Sequence, residues 1–126
     1  MANHNKLGRD GELTASEYLI SKGFIIRDMN WRVGKLEIDI VAQDPFANIL
    51  HIIEVKTRSR SDHFDPMESI TRAKIRNLVN AANGYITYYQ IKMALQFDVM
   101  IIVGQSPDFE IHFIPDAFRA PLKTVR

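Results

Sequence analysis

Residues 36–58 read LEIDIVAQDPFANILHIIEVKTR, two apolar runs around the turn-forming segment DPFAN at 44–48. Runs 36–43 and 49–57 are rich in β-branched residues and predict two strands joined as a hairpin. Successive side chains of a strand point to opposite faces. Leu36, Ile38, Ile40 and Ala42 are therefore expected on one face, and Glu37, Asp39 and Val41 on the other. In the second run Ile49, Ile53 and Val55 share a face, opposite Leu50, Ile52, Glu54 and Lys56. A symmetric hairpin sets Asp44 across from Ile49, which brings Asp39 opposite Glu54 and Glu37 opposite Lys56. Cross-strand partners have Cβ atoms about 5 Å apart, and like charges directly opposed destabilise a sheet. Two facing carboxylates call for something positive between them.

Working outward, residues 6–22 predict a helix closed by Gly23, with Gly8, Gly11, Glu12, Ala15, Tyr18 and Leu19 on its inward stripe. Small residues at one end of that stripe let the helix lie close to whatever it covers. Glu12 then sits on the packed side, an uncommon place for a lone carboxylate. A strand is expected over 24–32. A second helix is expected within 66–92, capped by Ser69 or Thr71, with Ile75, Leu78, Val79, Ala82 and Ile86 at helical spacing. Gly84 weakens that helix near its end. Strands over 94–103 and 109–115 follow, and residues 116–126 read as a tail of low structure. The order predicts one α/β domain over 1–126, of the α+β mixed-sheet kind: a five-stranded mixed sheet flanked by helices, with its core at about 6–115.

Bulk properties exclude several classes. The chain has 126 residues, 46% hydrophobic and 25% charged, which is globular composition. A net charge of +1 gives no overall electrostatic footprint for nucleic acid, so such binding would rest on local clustering. The absence of cysteine excludes disulfides and thiolate metal sites and fits a reducing, cytoplasmic setting. No apolar run approaches the roughly 20 residues of a membrane span.

Glu12, Asp39 and Glu54 converge from three elements in this reading. Three carboxylates repel strongly unless a divalent cation binds or one takes a proton. Hard oxygen ligands select Mg²⁺ or Mn²⁺. Beside Lys56, such a set suits metal-assisted phosphodiester hydrolysis, with the lysine orienting water or offsetting developing charge.

The segments GRDGE, NWR, EIDIVA, IIEVKTR, RAK and FDV occur in this order between residues 8 and 99. Together they resemble the YraN-like family of bacterial proteins, which looks like a branch of the PD-(D/E)xK nuclease superfamily that includes the archaeal Holliday-junction resolvases. The resemblance implies a restriction-endonuclease-like core. It also implies that Asp39, Glu54 and the Val55 backbone carbonyl hold the metal and that Lys56 is the catalytic lysine. Glu12 becomes the helix-borne acid, with a second metal position as its alternative role. Relatives usually read GEID where this chain has GKLEID, and arginine where it has Gln96.

Arg58, Arg60, Arg72, Lys74 and Arg76 flank these residues in sequence, diluted by Asp62, Asp65 and Glu68. Alone they read as a solvated face. Beside a metal site Arg58 and Lys74 lead the candidate phosphate contacts, with Arg60, Arg76 and Arg32 behind them. Glu37 stays open between metal contact and pairing with Lys56 or Arg32. Trp31 reads as core before base-stacking residue, Tyr85, Tyr88 and Tyr89 carry no assigned role, and Asp98 needs a partner if buried. His51 lies on the face away from Glu54, and no pair among the four histidines has ligand spacing. The expected function is a Mg²⁺- or Mn²⁺-dependent endonuclease acting on DNA, with branched or damaged DNA among its substrates and RNA as the alternative. A homodimer would build a continuous basic surface. The rival readings are a non-catalytic nucleic-acid-binding module on the same fold and a structural protein with an internal charge network.

Overall fold

The computed structural model describes residues 6–60 and 70–119. Helix α1 spans Lys6–Ser21, followed by β1 (Ile25–Val33), β2 (Leu36–Asp44), β3 (Ile49–Arg58), α2 (Arg72–Tyr89), β4 (Ala94–Gln105) and β5 (Asp108–Phe118). The strands form one sheet in the order β1-β2-β3-β4-β5. All neighbours are antiparallel except β3 and β4, which run parallel because α2 carries the chain across the sheet between them. This is the five-stranded mixed sheet flanked by helices that the sequence predicts. Among the described residues no helix is long and apolar enough to cross a membrane.

The hairpin register is the expected one, with Asp44 opposite Ile49. Its turn holds because Asp44 Oδ1 accepts the amides of Phe46 (3.0 Å) and Ala47 (3.2 Å), while Asn48 takes φ 57°. The inner strands of the sheet are covered on both faces. Helix α1 packs Ala15 and Leu19 against Ile40, Ala42, Ile53, Val55, Met100 and Ile102. Helix α2 packs Leu78, Ala81, Ala82 and Tyr85 against Ile38, Val41, Leu50, Ile52 and Phe97. At Thr71 the side chain caps α2 by accepting the Lys74 amide at 3.1 Å. Ser69, the other expected cap, lies outside the described residues, as do His4, Asp62, His63, Asp65, Glu68 and residues 120–126.

Strict alternation fails at one point. Ile38 belongs to the α2-side core, whereas Ile40 and Ala42 belong to the α1-side core. On the neighbouring strand Met29 and Trp31 divide in the same way. The paired residues on either side leave Asn30, at φ 55°, opposite Asp39. A left-handed residue turns the strand over, and asparagine is among the side chains that tolerate it. The sheet therefore changes face at Asp39.

Two boundaries also differ from expectation. Strand β5 continues through Asp116–Phe118, so the chain is ordered into strand beyond Pro115. Pro115 reads as a stop because it cannot donate to a ladder, yet β5 is an edge strand where proline is tolerated. The ladder with β4 shifts register there, between Phe97 and Val99. The fully buried Asp98 takes up the irregularity: its Oδ1 accepts the Asp116 amide (2.8 Å) and Gln96 Nε2 (2.9 Å), and its Oδ2 meets His51 Nδ1 at 2.6 Å. Gln96 is thus part of an internal network.

Helix α2 also runs past Gly84 to Tyr89. Gly84 packs beside β1, where an added Cβ would meet Val33 at 3.4 Å, an ordinary contact. Gly84→Ala is expected to stabilise the chain by about 0.5–1 kcal/mol, because helical glycine loses more backbone entropy than alanine. Chemical denaturation checks this, and a destabilised variant would contradict it.

Candidate active site

The β2–β3 ladder runs from Asp44–Ile49 to Ile40–Ile53. Beyond that pair, a side chain takes the place of the next backbone partner: the Val55 amide donates to Asp39 Oδ2 at 2.8 Å. Turning the strand over at Asp39 allows this, since the carboxylate reaches into the gap between strands instead of lying on one face. In a strand the N–H and C=O of one residue point toward the same neighbour. The Val55 carbonyl accordingly faces the same gap.

Glu54 lies on the α2 side of β3. Its Oε2 accepts from Lys56 Nζ at 2.9 Å and from Lys74 Nζ at 3.4 Å. Lys56 and Glu54 are mostly buried, while Lys74, on the first turn of α2, is 40% exposed at its side chain. Sequence spacing places Lys56 beside Glu54. Its expected partner across the hairpin, Glu37, instead reaches Arg32 of β1 at 3.6 Å, on the register Arg32–Glu37. Glu37 Oε2 is buried with no hydrogen-bond partner among the described residues.

The electrostatics follow from this crowding. Burial pushes the Asp39 carboxyl up from 3.8 to about 7, the negative charge of Glu54 adds to the rise, and the Val55 amide opposes it. Glu12 and Glu37 repel the same carboxylate more weakly. Glu12, half-buried on α1, thus bears on Asp39 from the other side of the sheet. For Lys56, burial disfavours the ammonium, but hydrogen bonding with Lys74 and Glu54 and the charges of Glu54 and Asp39 hold its pKa above the usual value. Burial and the neighbouring Lys56 ammonium lower that of Lys74, against the pull of Glu54. Lys56 is the fixed cation of the pair, and Lys74 is the one more readily released.

Helix α1 approaches closely enough for Glu12 to matter because Gly11 stands against β3. A Cβ on Gly11 would collide with Thr57 Cγ2. Gly11→Ala is expected to destabilise the chain by about 1–3 kcal/mol through overpacking, and to shift Glu12 away from Asp39. Thermal melting checks the first part. A variant as stable as the parent would show that α1 is free to move outward.

The expected phosphate contacts divide. Lys74 is in the site, and Arg58 is half-buried at the end of β3, donating to the Thr57 carbonyl at 2.9 Å. Arg60 is turned away, held by the Asp108 carbonyl (3.2 Å) and Glu110 (3.6 Å) of β5. Arg76 shares a groove with Arg72 and Arg119 beside the first turns of α2. Arg119 escaped sequence reasoning because it falls in the expected tail. The Glu54–Lys74 contact escaped it because it joins residues 20 apart on different elements. His51 lies away from the site, on Asp98.

Among the described residues no three histidine, aspartate or glutamate side chains are assembled as a metal cage. What the geometry does bring together is the Asp39–Glu54 pair, the Val55 carbonyl and two lysines. Mg²⁺ binds through one or two carboxylates and keeps several waters, so this oxygen set fits it.

The family model described as "Uncharacterised protein family UPF0102" matches residues 11–102. A UPF0102 protein of Bacteroides thetaiotaomicron is 43% identical over 122 residues, covering 97% of this chain and 99% of its own. One from Phocaeicola vulgatus is 39% identical over the same shares. Among solved structures, the "SPO1766 protein of unknown function from Silicibacter pomeroyi" matches 98% of this chain and 78% of its own, at 14% identity and a TM-score of 0.41.

Proposed function

We propose that this chain, which belongs to the UPF0102 family, is a divalent-metal-dependent nuclease that hydrolyses phosphodiester bonds of DNA. The observation that carries the proposal is the break in the β2–β3 ladder. There a buried carboxyl of raised pKa stands beside a second carboxylate already clamped by lysine. The resemblance of EID and EVK to the PD-(D/E)xK nucleases points the same way.

Asp39, Glu54 and the Val55 carbonyl would hold Mg²⁺ or Mn²⁺. Such an ion polarises a phosphate oxygen and makes a bound water nucleophilic near neutral pH. The rest falls to the protein. Lys56 stays on Glu54 and offsets negative charge that develops at the phosphorus. Lys74, more exposed and of lowered pKa, can leave Glu54 to meet a phosphate oxygen. Arg58, Arg76 and Arg32 position the backbone without reading sequence, and Arg60, bonded to β5, contributes least. Glu12 adds negative potential from α1, which favours a bound cation.

A second reading, a nucleic-acid-binding module without cleavage, rests on the ion pairs that Glu54 already makes with Lys56 and Lys74, which neutralise that carboxylate without an ion. Incubating the chain with single-stranded, duplex, tailed and branched DNA, with Mg²⁺ or Mn²⁺ and then with chelator, separates the two. Divalent-dependent cutting is expected. Salt-sensitive binding with no cutting of any form would leave the second reading.

A further inference from the structure

The aromatic residues of α2 and β1, which have no part in the site above, form a structure of their own. Tyr88 is 73% exposed and Tyr89 41%, beside Val33 at 38%. Trp31, half-buried, stands edge-on to Tyr85 at 5.0 Å and lies 6.4 Å from Tyr88. Tyr88 and Tyr89 pack edge to face at 4.8 Å, and Tyr88 still keeps most of its surface open to solvent. An open groove of about 710 Å³ lies between Trp31, Arg32 and Val33 on one side and Gly84, Tyr88 and Tyr89 on the other. Its floor stays low because Gly84 has no side chain. Contiguous exposed aromatic surface of this kind marks a binding site more often than a solvated face.

Charge selects the occupant. Among the described residues lining the groove Arg32 is the one that is charged, and none is acidic. Its side chain is 67% exposed and held by Glu37 only at 3.6 Å. Arg27, beside the rim, faces the rings of Tyr85 and Tyr89 at 5.8 and 5.9 Å. Exposed π-faces next to guanidinium groups fit a ligand with flat rings and negative charge, as single-stranded nucleic acid presents. The groove starts from the strand that borders the site: Trp31 pairs with Ile38, the residue before Asp39 on β2, and Arg32 pairs with Glu37. Lys74, which contacts Glu54, and Tyr88 stand on the same helix, 14 residues or about 21 Å apart, so a nucleic-acid strand joining the site to the groove spans several nucleotides.

We infer that this groove stacks an unpaired nucleobase. The preferred substrate, granting the nuclease reading above, is DNA with a single-stranded segment several nucleotides from the bond that is cut. Duplex bases are already stacked on each other and cannot enter.

Trp31 is the one tryptophan of the chain, so its fluorescence reports on the groove directly. The full chain is titrated, without divalent ions, with oligo(dT), oligo(rU) and a blunt DNA duplex of equal length. Oligo(dT) is expected to quench Trp31 emission at least as tightly as oligo(rU), and the duplex to leave it unchanged; a clear preference for oligo(rU) would overturn the assignment to DNA. Tyr88→Ala is expected to weaken single-strand binding by between about five- and a hundred-fold, the usual effect of losing one stacking ring. Tyr88→Phe, which keeps the ring, is expected to bind like the parent. Equal affinity of Tyr88→Ala and parent, or absence of quenching, would overturn the inference. So would a dimer in sedimentation that Tyr88→Ala dissolves, since the groove would then be an interface between copies. Cleavage of tailed and blunt duplexes with Mn²⁺ keeps the two proposals apart. Quenching without cleavage would leave the groove and remove the nuclease. Equal cleavage of both duplexes, insensitive to Tyr88→Ala, would keep the nuclease and remove the groove.

Discussion

Asp39→Asn is expected to make the metal-free chain more stable above neutral pH while abolishing cleavage. In the folded chain the Asp39 carboxyl titrates at about 7, against an ordinary value of 3.8. Between those values the folded state holds a proton that the unfolded state has released, so stability falls as pH rises through the window and levels off above it. The loss is on the order of 2–4 kcal/mol, because Glu54 shares in the same repulsion. Asparagine keeps an acceptor for the Val55 amide but carries no charge, so the variant is spared that loss. Melting curves of parent and variant should differ little below about pH 4 and increasingly toward about pH 8. Adding Mn²⁺ should narrow the gap by stabilising only the parent, by nearly 3 kcal/mol at a hundred times its dissociation constant. A gap independent of pH would show that Asp39 ionises normally.

Glu54→Gln and Lys56→Met are expected to fail in different ways, and the difference assigns their roles. Glu54 compensates both lysines, through Oε2 at 2.9 and 3.4 Å, and raises the pKa of Asp39. Glu54→Gln should therefore lose metal affinity and lower cleavage by at least about 10²–10³-fold. It should also shift the pH window of Asp39 downward. Lys56 is no ligand, and methionine replaces its stem while removing its charge. Lys56→Met should keep metal binding and lose activity by a similar factor, the mark of a group that acts in the transition state. A Lys56→Met enzyme that cuts at the parent rate would move the lysine's role to Lys74.

Much of this site is legible in the sequence because its geometry is local. The turn chemistry of Asp44 and Asn48 fixes the hairpin register, and two-residue alternation puts Glu54 and Lys56 together. The small residue Gly11 next to Glu12 announces a close helix. What is hidden depends on backbone or tertiary choices that no period records. The change of face at Asp39 needs the left-handed Asn30 on the neighbouring strand. Alternation alone would keep Ile38 with Ile40. Lys74 meets Glu54 only once α2 has crossed the sheet. Asp98 finds His51 because β3 and β4 run parallel in register, and it finds Asp116 because β5 bulges where Pro115 suggests an end. The aromatic groove is hidden for the same reason, since Trp31 and Tyr88 come from elements that the sequence separates by the whole β2–β3 hairpin.

The central claim is that Asp39 and Glu54 together hold a divalent ion. Calorimetric titration with Mn²⁺ at about pH 8, where Asp39 is ionised, tests it most directly, with and without a short DNA strand to supply phosphate oxygens. The parent should bind Mn²⁺ at a saturable site that both Asp39→Asn and Glu54→Gln lose. Mn²⁺ binding that survives either substitution unchanged, or no saturable binding to the parent even with DNA present, would contradict the account.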